Sequence, residues 1–181
     1  MTRQTVLGAV ACSLFVSPVF AQGTAPGTAP APPAVTAPLH TMVMPADLKW
    51  MDGPPGLPPG GKMAVLFGDP GKPGMFILRA KLPAEYKIPA HWHATDETVT
   101  VLSGTIMMGM AAKLDAKAAT SMTVGAFAGM PANTNHFLMT KGEAEIQVAG
   151  VGPFSITYVN PDDDPRKTAS KPAAAAEPAK K

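Results

Sequence analysis

Cysteine is almost missing from this chain of 181 residues; the single one, Cys12, stands in the N-terminal stretch. A mature form cut after that stretch has no thiol. That excludes disulfide staples and thiolate metal ligands, and it agrees with an oxidising compartment. Any metal must then be held mainly by nitrogen and oxygen. Charge is scarce as well: charged residues make up 15% of the chain, with a formal net charge of +2. Over residues 40–160 basic and acidic side chains balance, so the electrostatic footprint of a nucleic-acid binder is absent. A long hydrophobic run is missing too. Residues 5–20 are mostly apolar but fall short of the ~20 needed to cross a bilayer, and Pro18 interrupts their end.

What is present at the N-terminus reads as a secretory signal over residues 1–21. Arg3 gives the positive start, residues 5–20 the apolar stretch, and Val19, Phe20 and Ala21 a small-residue cleavage site. The expectation is a periplasmic or secreted protein with no membrane contact after cleavage. A lipoprotein attached through Cys12 is the alternative form. Residues 22–39 are Ala, Pro, Thr and Gly without charge, with GTAP at 23 and again at 27. Such a run has no apolar face to offset its ordering entropy, so a disordered linker is expected there. A second disordered tail is expected over 161–181, where prolines flank a run of four alanines.

The folded part is expected over 40–160. Apolar residues make up 46% of the chain, enough for a core. Segments 62–67, 75–82, 88–93, 97–102, 105–110, 122–127, 135–139, 145–151 and 154–159 read as short strands separated by turn signals such as Gly68-Asp69-Pro70-Gly71 and Ser103-Gly104. The Pro-rich stretch 53–61 reads as a loop, and only 111–119, AAKLDAKAA, reads as a helix. Many short strands at regular spacing predict an all-β sandwich or barrel.

Histidine is the residue used most selectively. The chain has four, and three are His91, His93 and His136. Side chains at i and i+2 of a strand share a face, so His91 and His93 aim at one point and Trp92 faces away. Glu97 can bring a carboxylate back on the next strand, while its neighbour Asp96 faces the other way and serves the turn. His136 is the best candidate for a fourth donor. Neutral imidazoles with a carboxylate suit Fe, Mn, Ni, Cu, Co or Zn. Four protein donors leave up to two octahedral positions for substrate, water or dioxygen. His40 precedes the domain and reads as solvated. Met107, Met108 and Met110 raise copper(I), but adjacent strand residues cannot share a face, so packing is the expected role. Arg79, the only arginine outside the terminal segments, could bind an anion; sharing a strand face with Met75 and Lys81, it is expected to point outward.

The pattern resembles the cupins, small jelly-roll barrels with two signature motifs. Their first motif, G(x)5HxH(x)3–4E(x)6G, is matched by His91, His93, Glu97 and Gly104, with Glu85 in place of the opening glycine. Their second, G(x)5PxG(x)2H(x)3N, is matched by Gly125, Pro131 and His136. Asn133 stands for the inner glycine and Thr140 for the final asparagine. Asn tolerates positive φ, so the first change is mild, and the second puts a turn in doubt rather than the site. The stretch 57–83 is also similar to the cupin half of the zinc-binding anti-sigma factor family. The resemblance implies a single cupin barrel with a divalent metal at His91, His93, Glu97 and His136. Two functions follow as expectations. One is a metal-dependent, oxygenase-type enzyme acting on a small organic molecule. The other is a non-catalytic cupin that binds metal or a small ligand for sensing or storage. The resemblance also suggests a homodimer.

Overall fold

The computed structural model describes residues 40–169, and the expected signal and linker lie outside that range. In chain order the strands are β1 (Met51–Asp52), β2 (Lys62–Phe67), β3 (Gly74–Leu82), β4 (Lys87–Trp92), β5 (Glu97–Ser103) and β6 (Thr105–Gly109). They continue with β7 (Thr120–Thr123), β8 (Phe127–Met130), β9 (His136–Thr140), β10 (Ala144–Gly152) and β11 (Thr157–Tyr158). Two antiparallel sheets result, ordered β1-β2-β3-β10-β5-β8 and β11-β4-β9-β6-β7. This is the all-β cupin jelly roll that the sequence predicts.

Alternation along the strands builds the core in layers. In the first sheet Leu78, Val148 and Val99 lie side by side, as do Ala80, Ile146 and Val101. All six are buried. Across the interior Ile88 pairs with Leu138, and Leu138 with Met108. Burying a large aliphatic side chain of this kind contributes ~1.5–3 kcal/mol relative to leaving it exposed. At one end of the first sheet the layer is Phe76, Gly150 and Glu97. A Cβ on Gly150 would come 3.0 Å from the Asp96 carbonyl and 3.1 Å from the Phe76 ring. Glycine there leaves room for the ring and the carboxylate to share one layer.

The second sheet departs from simple alternation at one place that matters. Ile88 and His91 are three residues apart, yet both are buried and face the core cavity. The register between β4 and β9 shifts between them, from Ile88↔Leu138 to His91↔His136. This is a bulge, and it changes the phase of the strand. Pro89 sits inside it, where its missing N–H removes no needed ladder bond. The uninterrupted 88–93 strand expected from the sequence is therefore two phases joined by a bulge.

Four other expectations are corrected. Residues 122–127 are not one strand: Gly125, at φ 85°, turns the chain, and β7 and β8 belong to different sheets. Residues 111–119 form turns, not a helix. The Asp115 carboxylate accepts from Lys117 N at 2.8 Å, a local bond that competes with helix formation in so short a segment. Of 154–159 only β11 is strand. The tail expected from 161 is ordered over its first part, where Pro161–Asp163 forms a 3-10 turn and α1 spans Pro165–Ala169. Prolines suit the first helical position, so these two start elements that a breaker reading would forbid. The stretch 53–61 is a loop, as expected.

The motif departures explain themselves in the backbone. Glu85 and Asn133 are the two non-glycine residues with positive φ among the described residues, at 57° and 63°. The retained motif glycines Gly104 and Gly125 are also left-handed. The turns keep the shape that glycine favours although two side chains have changed. Thr140 holds the turn that its substitution put in doubt. Its hydroxyl accepts from Tyr86 N at 2.9 Å and donates to the Pro83 carbonyl at 2.6 Å.

Candidate metal centre

His91 lies near the end of β4, His93 just after it, Glu97 opens β5 and His136 opens β9. All four are buried, with relative exposures of 4%, 6%, 8% and 2% in that order. Ring nitrogens of the three histidines lie within 4.8 Å of one another. Glu97 Oε2 lies 3.1 Å from His136 Nε2 and 3.4 Å from His93 Nε2. The structure thus brings together every residue expected at the site. His40 and Asp96 are exposed instead.

The backbone decides which nitrogen each ring presents. The Nδ1 atoms donate to carbonyls of Pro89 at 2.7 Å, Ser155 at 2.7 Å and Thr134 at 2.9 Å. A carbonyl only accepts, so each Nδ1 carries a proton and each ring turns its Nε2 inward. Outer-shell bonds of this kind fix tautomer and ring orientation in metal sites. Glu97 Oε2 is then buried without a donor. A buried carboxylate oxygen facing two lone pairs is unfavourable unless positive charge sits among them.

The titration of these groups follows. Burial, with the neighbouring His136 charge, pulls His91 down to about 3, so it stays neutral. Burial pushes Glu97 up, but His136 and His93, wherever they take a second proton and donate to it, outweigh burial and hold the carboxyl down at about 2. Burial pulls His136 down, yet the Glu97 carboxylate outweighs that and raises it. A second proton on His136 is one way to supply the missing positive charge. A divalent cation is the other, and the donor set of imidazole and carboxylate fits it.

The donors form one end of a cavity of about 80 Å³ whose remaining wall is entirely apolar. Most of that wall is buried; Leu57, Met63, Phe154 and Ile156 keep partial exposure and form its rim. The Phe154 ring stacks on His93, with centroids 4.1 Å apart and planes 19° from parallel. Tyr158 OH donates to Gly56 O at 2.9 Å, and Tyr86 OH donates to Pro58 O, so two phenols fasten the 53–61 loop. Arg166 pairs with Asp164 at 2.7 Å and donates to Ile156 O at 3.2 Å. Met108 belongs to the buried wall, while Met107 is half-buried and Met110 exposed, so the three methionines do not converge. Arg79 points away from the cavity toward Glu145, 3.7 Å off.

The sequence pattern does not single out Phe154, the Ser155 carbonyl or Gly150. No spacing rule leads to them; Phe154 and Ser155 come from a loop, and Gly150 from a strand read only for its apolar partners. Asp96 does more than serve its turn. Its carboxylate accepts from Ala132 N at 2.8 Å, and Asn133 N donates to His93 O at 2.7 Å. These two bonds clasp the turn bearing His93 and Glu97 to the turn leading into His136.

Residues 32–157 match the family described as a domain of unknown function, DUF4437. No curated protein matches the sequence. Among solved structures, the chain is similar to the polyketide cyclase RemF from Streptomyces resistomycificus. The two share 17% identity over 74% of this chain and 95% of the other, at a TM-score of 0.59. It is also similar to a candidate acetylacetone dioxygenase from Methylibium petroleiphilum PM1, with 19% identity over 72% and 89% and a TM-score of 0.54. An RmlC-like cupin from Shewanella frigidimarina NCIMB 400 matches at 11% identity over 60% and 87%, with a TM-score of 0.48. At these identities the likeness is one of fold.

Proposed function

Since the chain belongs to the family described as a domain of unknown function, DUF4437, its site is the guide to its activity, and we propose that it binds a divalent transition metal through His91, His93, Glu97 and His136 and acts as an oxygenase-type enzyme on a small organic molecule. One observation carries the metal assignment: Glu97 Oε2 is buried without a donor, facing imidazoles whose Nδ1 protons are already committed to carbonyls. When bound, the metal supplies Lewis acidity and, if iron or manganese, a centre for dioxygen chemistry. The chain's part is to hold the donors oriented, to give up any second proton on His136 as the metal enters, and to keep bulk water out with an apolar wall.

A second reading has its own support. No ionisable group besides the four donors lines the cavity, so no separate acid or base is at hand. That favours a module that binds metal or a small ligand without transforming it. Elemental analysis of untagged protein tests the metal: about one transition ion per chain is expected, and His93→Ala should lose most of it. Normal stoichiometry in that variant would sink the assignment. Oxygen uptake by the Fe(II)-loaded protein over a panel of diketones, phenols and thiols separates the two readings. Turnover supports the enzyme; ligand-dependent stabilisation without turnover supports the binding module. Export is part of the proposal, resting on Arg3 and the apolar stretch that follows; a mature N-terminus at Gln22 is the expected result.

A further inference from the structure

The wall of the cavity says what its occupant is made of. Beyond the four donors every lining side chain is hydrocarbon or thioether, so nothing offers a hydrogen bond to a second polar group on a ligand. The wall also holds no cation, because Arg79 faces Glu145 on the outer side. A phosphate, a second carboxylate or a row of hydroxyls would be buried here without partners, at a loss of tenfold or more in affinity for each. One anionic head is favoured instead, since a divalent cation set against the single carboxylate of Glu97 leaves net positive charge. The lining also extends along one strand. Leu78, Ala80 and Leu82 line it in succession along β3, a path of roughly 13 Å at ~3.4 Å per residue. Its volume of about 80 Å³ is about half that of an engineered cavity that holds benzene, which leaves room for a tail of about three or four carbons.

Resting on the metal assignment, we infer that the site takes a short aliphatic ligand with one oxygen head, a monocarboxylate or enolate. The head meets the metal and the tail lies against Val99, Val148 and Leu138. Sugars, amino acids and phosphate esters are excluded.

The test uses the full chain loaded with Co(II), read by its visible absorption bands. The probes are the straight-chain carboxylates from acetate to octanoate, with 4-hydroxybutyrate as the polar counterpart of pentanoate. Affinity should rise about threefold to fourfold with each methylene, peak near butyrate or pentanoate, and fall for longer chains. The 4-hydroxy compound should bind at least tenfold more weakly than pentanoate. Val99→Ile, which adds one methylene to the wall, should move the optimum one carbon shorter. Affinity independent of chain length, or equal binding of the hydroxylated probe, overturns the inference while leaving the metal site standing. Absence of any cobalt absorption at one equivalent overturns the metal assignment and the inference with it.

Discussion

The two ends of the cavity are built by different means. At the donor end His91 and His136 face each other across paired strands, Glu97 opens a strand between two others, and the Asp96–Ala132 bond clasps the flanking turns. At the rim Leu57, Phe154 and Ile156 come from loops, fastened by side-chain bonds to the carbonyls of Gly56, Pro58 and Ile156. Strand pairing fixes the donors through many cooperative bonds. The rim rests on a few, and local opening takes the path with fewest buried contacts. Placement of a metal at the four donors and access to it would thus be controlled separately, with the Phe154 stack on His93 as the point where they meet.

The widest gap between the two ends should appear on removing a donor. His136→Ala is expected to weaken metal binding by more than ~100-fold, beyond the 10–100-fold typical of losing an outer-shell partner, as read by competition with a chromophoric chelator. The rim variant Tyr158→Phe should leave that affinity within about twofold. Equal losses in both would erase the distinction. Metal at a thousandfold excess over its dissociation constant stabilises by about 4 kcal/mol, so chelation should lower the melting temperature of the wild type and hardly that of His136→Ala. Phe154→Ala comes next. It loosens both ends, lowering metal affinity about tenfold and speeding ligand entry in stopped-flow traces.

Acidity sharpens the same contrast. His91 is held far below its unfolded value, so the unfolded chain binds the extra proton and stability falls as pH drops from 6.5 toward 3. Glu97 adds a loss of the same sign below 4.5. His136 is raised and acts oppositely: it stabilises the metal-free protein below 6.5, and that contribution disappears as pH rises through its folded value. Metal-free protein melted from pH 8 to pH 4 should therefore show a shallow maximum on the acid side of neutrality, and the metal-loaded form a steady decline on acidification. Smaller still, Tyr158→Phe should cost about 1 kcal/mol for the bond lost to Gly56 and raise amide exchange in residues 53–61 without touching the strands that carry the donors. Smallest is Glu85→Gly, which removes a left-handed side chain and should stabilise by up to about 1 kcal/mol with metal binding unchanged.

The donor end was legible in the sequence because strand alternation and two spaced motifs encode it. His91, His93, Glu97 and His136 all arrive where those patterns direct them. The bulge at Pro89 was not legible: period-two counting from Ile88 turns His91 outward, and only the pairing with β9 restores it. Gly125 was read as a motif position within a strand, though its left-handed backbone ends β7. The short helix expected around Asp115 failed because a side chain two residues from its target outcompeted a weak local propensity. The rim was almost invisible, since loops are fixed by contacts far off in the chain, such as Tyr158 with Gly56 across 102 positions.

The place of β10 has a consequence for how the protein is made. By His136 a growing chain has produced every donor, yet β3 and β5 are joined only through β10, which ends at Gly152, and the carbonyl that orients His93 belongs to Ser155. A polypeptide halted near residue 140 holds all four donors and no chamber. Loading of a cation would therefore be an event of the finished chain, and its identity would be set by the compartment in which folding is completed.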